Sequence, residues 1–132
     1  MRLYLDADIF LALIKDQDRF KESAQHFFEI SKHHIMITSS LSCLEVWFYL
    51  HKNNHANLAL DAVRAIKSLV QVIDWRLEQL EEALFLAQNY KLTPADALHA
   101  VIASHFDGIV STDKSFDRIK GLKRIDFSAE SK

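Results

Sequence analysis

The chain is predicted to fold as an α/β domain, with a short, mostly parallel central sheet and helices on both faces. Three observations carry this. Short apolar runs rich in Leu, Ile and Val alternate with longer segments of helical periodicity. No hairpin signal joins successive runs, so the strands need crossover connections and a parallel sheet. One pattern also occurs twice: an apolar run ends in an aspartate and a helix follows. Its first copy is Leu3-Tyr4-Leu5-Asp6 and its second is Ile109-Val110-Ser111-Thr112-Asp113. In a parallel sheet the carboxyl ends of such strands share one edge, where ligands bind.

The elements follow in order. Met1 to Leu5 reads as a buried strand and Asp8 to Lys15 as a short helix, with Asp8 at its N-cap. Phe20 to Lys32 is helical, with Phe20, Ala24, Phe27 and Phe28 on one face. Ile35 to Thr38 is a second strand. Leu41 to Lys52 is a third helix, expected to turn Leu44, Trp47 and Phe48 inward. A polar turn, Lys52 to His55, precedes a fourth helix with Ala59, Ala62, Val63, Ile66, Leu69 and Val70 as its stripe. Val70 to Ile73 is a third strand, and Asp74 is expected to cap a fifth helix carrying Leu77, Leu80, Leu84 and Ala87. Thr93-Pro94 opens a sixth, with Leu98, Val101 and Ile102 apolar. Ile109 to Ser111 is a fourth strand. Arg124 to Phe127 reads as a short edge strand, and residues 128–132 as a frayed tail.

Composition bounds the function. A chain of 132 residues, 49% hydrophobic and 26% charged, suits one soluble domain spanning 1–132 with a real core. Two glycines and one proline exclude disordered and collagen-like classes, and no glycine-rich phosphate loop is present. The single cysteine, Cys43, excludes a disulfide framework and a thiolate zinc site. No signal peptide or membrane span is read, so a cytoplasmic setting is expected. The net charge of −2 gives no overall basic footprint. Lys114, Arg118, Lys120, Lys123 and Arg124 nevertheless crowd the last stretch, as a phosphate-facing edge or simply a solvated one.

The acids have structural and chemical readings. Asp6 ends the first strand and, with Asp8 assigned to capping, is read as chemical. Glu45 fits the S-x-x-E capping box from Ser42, yet sits among Leu44, Val46 and Trp47. Asp96 lies in an ideal helix start, where a carboxylate complements the dipole. Asp113 ends the fourth strand, and Asp117 follows one turn later. His99, three residues after Asp96, could reach the cleft, but is read as a partly buried histidine bonded to a backbone group. Like charges brought together in one cleft imply a hard divalent cation.

Asp6, Glu45, Asp96 and Asp113, in this order and spacing, resemble the PIN-domain nucleases, and among them the VapC-type toxins of prokaryotic toxin–antitoxin pairs. Four stretches carry the resemblance: Leu5-Asp6-Ala7-Asp8-Ile9-Phe10-Leu11, Ser40 to Glu45, Thr93 to Ala100, and Val110 to Phe116. It implies a PIN-like fold and a Mg²⁺- or Mn²⁺-dependent endoribonuclease. Asp6, Glu45, Asp96 and Asp113 would be its catalytic and metal-binding acids, with Asp117 as an additional ligand. Asp8, where the family usually has asparagine, and Thr112 would support them. Lys114 and Arg118 would contact RNA phosphates. The resemblance further implies a homodimer and a small antitoxin whose tail enters the acidic groove. Two alternatives stand beside it: a non-catalytic RNA- or protein-binding module of the same fold, and a haloacid-dehalogenase-type phosphatase using Asp6 and Asp8.

Overall fold

A computed structural model describes residues 1–128. Five strands, β1 (Arg2–Leu5), β2 (Ile35–Ser39), β3 (Gln71–Ile73), β4 (Gly108–Val110) and β5 (Arg124–Ile125), form one sheet in the order β3-β2-β1-β4-β5. Every adjacent pair is parallel. Six α-helices connect them: α1 (Ala7–Ile14), α2 (Lys21–Ile30), α3 (Ser40–Lys52), α4 (Ala59–Leu69), α5 (Leu77–Tyr90) and α6 (Pro94–Ala103).

The pleat of β1 divides the core in two. Leu3 and Leu5 face one side with Phe10, Phe27, Val46, Leu50 and Ile66. Tyr4 faces the other with Ala83, Leu98, Val101, Ile102 and Phe116. Alternate residues of a strand point to opposite faces, so four helices cover one side and α5 with α6 cover the other. The connections through α1–α2 and α3–α4 step outward from β1 in one direction. The α5–α6 connection then returns the chain to the opposite side of β1. The order therefore reverses between β1 and β4, the crevice where open parallel sheets bind ligands. Asp6 leaves β1, and the Ser111–Asp113 segment leaves β4, at that point.

Several expectations are corrected. On α3 the core face is Val46 and Leu50, whereas Leu44, Trp47 and Phe48 are 53%, 53% and 66% exposed. Both sets recur at helical spacing; the inward one was smaller and less aromatic. On α5, Leu77, Leu80 and Leu84 are exposed, and Ala83, Leu86, Ala87 and Tyr90 pack inward. Leu69 of α4 is likewise exposed. Ser39 caps α3, accepting from Leu41 N at 3.3 Å, so Ser42 and Glu45 form no capping box. Asp74 does not cap α5: its N-cap is Arg76, whose N–H donates to the Gln79 side chain at 2.8 Å. The edge strand ends at Ile125, and most of the expected frayed tail, residues 129–132, lies outside the described residues.

The inward face of α3 makes a stability prediction. Leu50→Ala should cost about 2–5 kcal/mol through lost burial and the cavity left behind. Leu44→Ala should stay within about 0.5 kcal/mol. Urea unfolding at protein concentrations too low for self-association checks both; the reverse order would place the wrong face inward.

Candidate metal centre

Asp6 anchors the site. Its backbone N–H donates to Val110 O at 3.1 Å, tying the end of β1 to β4. The residue is in extended conformation and caps α1 itself, Oδ1 accepting from Ala7 N at 2.8 Å. The cap therefore lies two residues before the position expected for it, and Asp6 serves both the helix and the cleft. Oδ2 accepts from Ser111 Oγ at 2.8 Å. Burial raises the Asp6 pKa, opposed by His99 and Ser111 and reinforced by Glu45.

Asp8, released from capping, staples α1 to the exit of β4. Its Oδ2 accepts from Thr112 N and Thr112 Oγ1, each at 2.8 Å, and from Ser111 Oγ at 3.2 Å. Its Oδ1 is buried with no hydrogen-bond partner. Burial, then the neighbouring Asp6 charge, pushes its carboxyl up to about 7. Ser111 Oγ also accepts from Asp113 N at 3.0 Å, and Asp113 Oδ1 caps the following 3-10 turn at Ser115 N, 2.9 Å away. Thr93 Oγ1 accepts from Asp96 N at 3.3 Å, fixing Asp96 in the first turn of α6. Burial, then the nearby Asp113 and Glu45 carboxylates, raises the Asp96 pKa.

Glu45 reaches inward from α3 to accept from His99 Nε2. The same nitrogen lies 3.4 Å from Asp6 Oδ1. Ligand atoms of Asp6, Glu45 and His99 all lie within 4.8 Å of one another. On the other side of the ring, His99 Nδ1 is 2.7 Å from Tyr4 Oη, which is 2.7 Å from Ser39 Oγ. Burial opposes a charge on His99, but the bond to Glu45 and the charges of Asp6, Glu45 and Asp96 outweigh it, so its pKa is raised. The expected backbone partner for His99 is thus replaced by two carboxylates and a tyrosine. The sequence carried one signal: on α6, residues three apart share a face, so Asp96 and His99 look the same way.

Contact joins Asp6, Glu45 and His99, and electrostatic interaction joins Asp96 to Asp113 and Glu45. Asp117 is placed differently from the ligand role read for it. Both of its oxygens engage the Arg124 guanidinium, at 2.9 and 3.0 Å, on the exposed side of the turn. Lys114 and Arg118 are exposed on the same turn. Buried carboxylates whose pKa values rise together, and a buried carboxylate oxygen without a partner, are the mark of an undercompensated negative site. An oxygen-rich donor set of this kind fits a divalent cation. A separate apolar trough of about 560 Å³, lined by Cys43, Leu44, Trp47, Leu60 and Val63, contains none of these acids.

The PIN domain family model matches residues 3–122. The chain belongs to the PIN domain family. No curated protein matches it. Among solved structures this PIN domain is similar to VapBC2 from Rickettsia felis, bound there to a promoter DNA fragment. The identity is 19%, over 95% of this chain and 98% of that one, with a TM-score of 0.75. It is also similar to VapC20 of Mycobacterium tuberculosis, a toxin that cleaves the sarcin–ricin loop, at 18% identity. That match covers 87% of this chain and 92% of that one, with a TM-score of 0.74. VapBC-1 of nontypeable Haemophilus influenzae matches at 18% identity over 97% and 99% of the two chains, TM-score 0.74. At these identities the likeness establishes the fold. Membership of this family displaces the haloacid-dehalogenase alternative, and Asp8, which that alternative needed as an acid catalyst, is held by Thr112. Among the described residues, no helix is long and apolar enough to cross a membrane.

The raised pKa values set a direction for stability. Folded Asp6, Asp8 and Asp96 hold protons more tightly than the unfolded chain does, as does His99. Between about pH 4 and 8 the unfolded state therefore binds fewer protons, and stability falls as pH rises. The melting temperature of the metal-free protein should drop from pH 5 to pH 8. Added Mn²⁺ should restore more of it at pH 8 than at pH 5; a flat or rising metal-free profile contradicts the clustered arrangement.

Proposed function

We propose that this protein is a metal-dependent endoribonuclease, the toxin of a toxin–antitoxin pair. The observation that supports the reading is the meeting of Asp6 and Glu45 at His99 beside the crevice between β1 and β4, with Asp96 near enough to Asp113 and Glu45 for their charges to raise its pKa. Family membership and the similarity to VapC structures support it.

In this reading Asp6, Glu45, Asp96 and Asp113 hold Mg²⁺ or Mn²⁺. Bound there, the ion supplies a water of lowered pKa and neutralises charge building on the phosphate. The chain's own residues do the rest. Ser111 and Ala7 N fix both oxygens of Asp6. Ser111 also receives the Asp113 amide, so one hydroxyl sets the spacing of two acids. Asp8 and Thr112 lock the two strand exits together. Asp117, paired with Arg124, is left out of the ligand set. Lys114 and Arg118, exposed on the turn after Asp113, attract the RNA backbone electrostatically, without reading bases. The Rickettsia and Haemophilus neighbours are VapBC assemblies, and a Klebsiella pneumoniae neighbour is a toxin–antitoxin complex, which supports a small antitoxin as partner. The exposed apolar side chains of α3 and α5 support burial against protein, in a homodimer or with that antitoxin. A cytoplasmic site of action belongs to the same reading.

Asp6→Asn tests the proposal. Asparagine still caps α1 and keeps the shape, so the fold should be retained or gain stability as one repelling charge is lost. Cleavage of a structured RNA pool with Mg²⁺ or Mn²⁺ should fall at least about 100-fold, more than the loss of a merely supporting group. Equal cleavage by both proteins removes the nuclease reading. Wild-type protein that cleaves no RNA with either ion returns the non-catalytic module to first place.

A further inference from the structure

We infer that His99 is a nitrogen ligand of the metal centre, so that this site is a mixed imidazole–carboxylate set built with Asp6 and Glu45 and favours a transition ion such as Mn²⁺ over Mg²⁺. The inference rests on the metal-centre reading above and narrows it.

Position is the first argument. His99 is 0% exposed, on the face of α6 that also carries Asp96. Its Nε2 meets two carboxylates from two other elements: Glu45 Oε1 on α3, and Asp6 Oδ1 at 3.4 Å beyond β1. An ion with ligand bonds of about 2.1 Å holds neighbouring donor atoms about 3 Å apart. The three donors all lie within 4.8 Å of one another; Nε2 and Asp6 Oδ1, at 3.4 Å, already have nearly that spacing, whereas Glu45 is in direct contact with Nε2 and must draw back to admit an ion. Glu45 has the freedom to complete it, because its side chain is 32% exposed and His99 is its only hydrogen-bond partner among the described residues.

The second argument is the far side of the ring. A metal-bound histidine almost always donates its other N–H to a fixed acceptor, which sets the tautomer and holds the ring plane. Here Nδ1 lies 2.7 Å from Tyr4 Oη, and Tyr4 Oη lies 2.7 Å from Ser39 Oγ. The donors can run in one direction throughout: Nδ1–H to Tyr4, and Tyr4 O–H to Ser39. An ion entering the site then has to displace only the Nε2 proton now given to Glu45, and the freed nitrogen faces the carboxylates as a donor. Tyr4, His99 and Ser39 are all fully buried, so no solvent competes for the arrangement.

Ligand chemistry then gives selectivity. Mg²⁺ prefers oxygen donors and retains its waters, and an imidazole suits it poorly. First-row transition ions accept nitrogen and carboxylate ligands together.

The test uses the full-length chain without a polyhistidine tag, loaded with Mn²⁺ and studied by pulsed electron paramagnetic resonance. The bound ion should show the ¹⁴N modulation of a coordinated imidazole, and His99→Gln should lose it. Mn²⁺ affinity, measured by titration, should fall at least about tenfold in His99→Gln, and Mg²⁺ affinity by less. Tyr4→Phe, which keeps the packing and touches no metal, should retain the modulation while weakening Mn²⁺ about 10- to 100-fold. Melting curves check that each variant folds; if His99→Gln does not, the wild-type spectrum and Tyr4→Phe still decide. Mn²⁺ bound without ¹⁴N modulation, or with modulation that persists in folded His99→Gln, overturns the inference and leaves an oxygen-only centre and the nuclease reading intact. Unchanged Mn²⁺ affinity in Tyr4→Phe also counts against it. Wild-type protein that binds Mg²⁺ but no Mn²⁺ overturns this inference alone; protein that binds neither ion overturns both readings together.

Discussion

The arrangement of this molecule depends on one constraint: a carboxylate, Asp6, is buried at the point where the strand order of a parallel sheet reverses. Burying an ionised group costs several kcal/mol unless it is hydrogen-bonded or paired. Here the compensation comes from every direction. The first amide of α1 meets one oxygen, the Ser111 hydroxyl meets the other, and His99 approaches from α6. Because those donors belong to different segments, satisfying Asp6 fixes the exit of β1, the exit of β4 and the start of α6 relative to one another. The exit of β4 carries Asp113 and the start of α6 carries Asp96, while Glu45 reaches in from α3. The site is therefore a consequence of how one buried charge is accommodated.

What the sequence disclosed follows from this. Asp6 and Asp113 were legible because each ends a short apolar run, and a run too short and branched for a helix is a strand whose end is a sheet edge. Thr93-Pro94 with Asp96 was legible because a helix start is a local matter. The division of labour between Asp6 and Asp8 was not. Both residues suit a cap, and the choice depends on Thr112, a residue more than a hundred positions away that claims Asp8. The spacing of His99 from Asp96 let it reach the cleft, but its partners were hidden for a similar reason. In sequence it occupies an apolar position of α6, and only Tyr4 and Glu45, from two other elements, turn that position polar.

The misread faces of α3 and α5 have a different origin. Both helices are apolar on more than one side, so periodicity alone offers two answers. On α3 the larger, more aromatic set, Leu44, Trp47 and Phe48, looks outward. Size is a poor guide to direction when a helix has two surfaces to serve. A sheet-facing helix needs small or branched residues to approach closely, and Val46 with Leu50 provides them. Aromatic residues left in solvent signal a surface meant to be covered by protein. The exposed face and the acidic crevice thus draw on different residues of the same helix, with Glu45 reaching into the crevice.

Asp8 shows how finely the charge of the crevice is balanced. An asparagine there, as the resemblance implied, would offer one acceptor and one donor. Asp8 uses a single oxygen, Oδ2, for all three of its hydrogen bonds, and Oδ1 is buried with none. With its carboxyl pushed up to about 7, the side chain carries a proton for much of the time near neutrality. A protonated carboxyl presents one acceptor oxygen and one donor, the same pattern as an amide of the same shape. The substitution of aspartate for asparagine therefore does not add a full charge to the cluster. The neighbouring carboxylate of Asp6 sees to that, because its own charge helps hold the proton on Asp8.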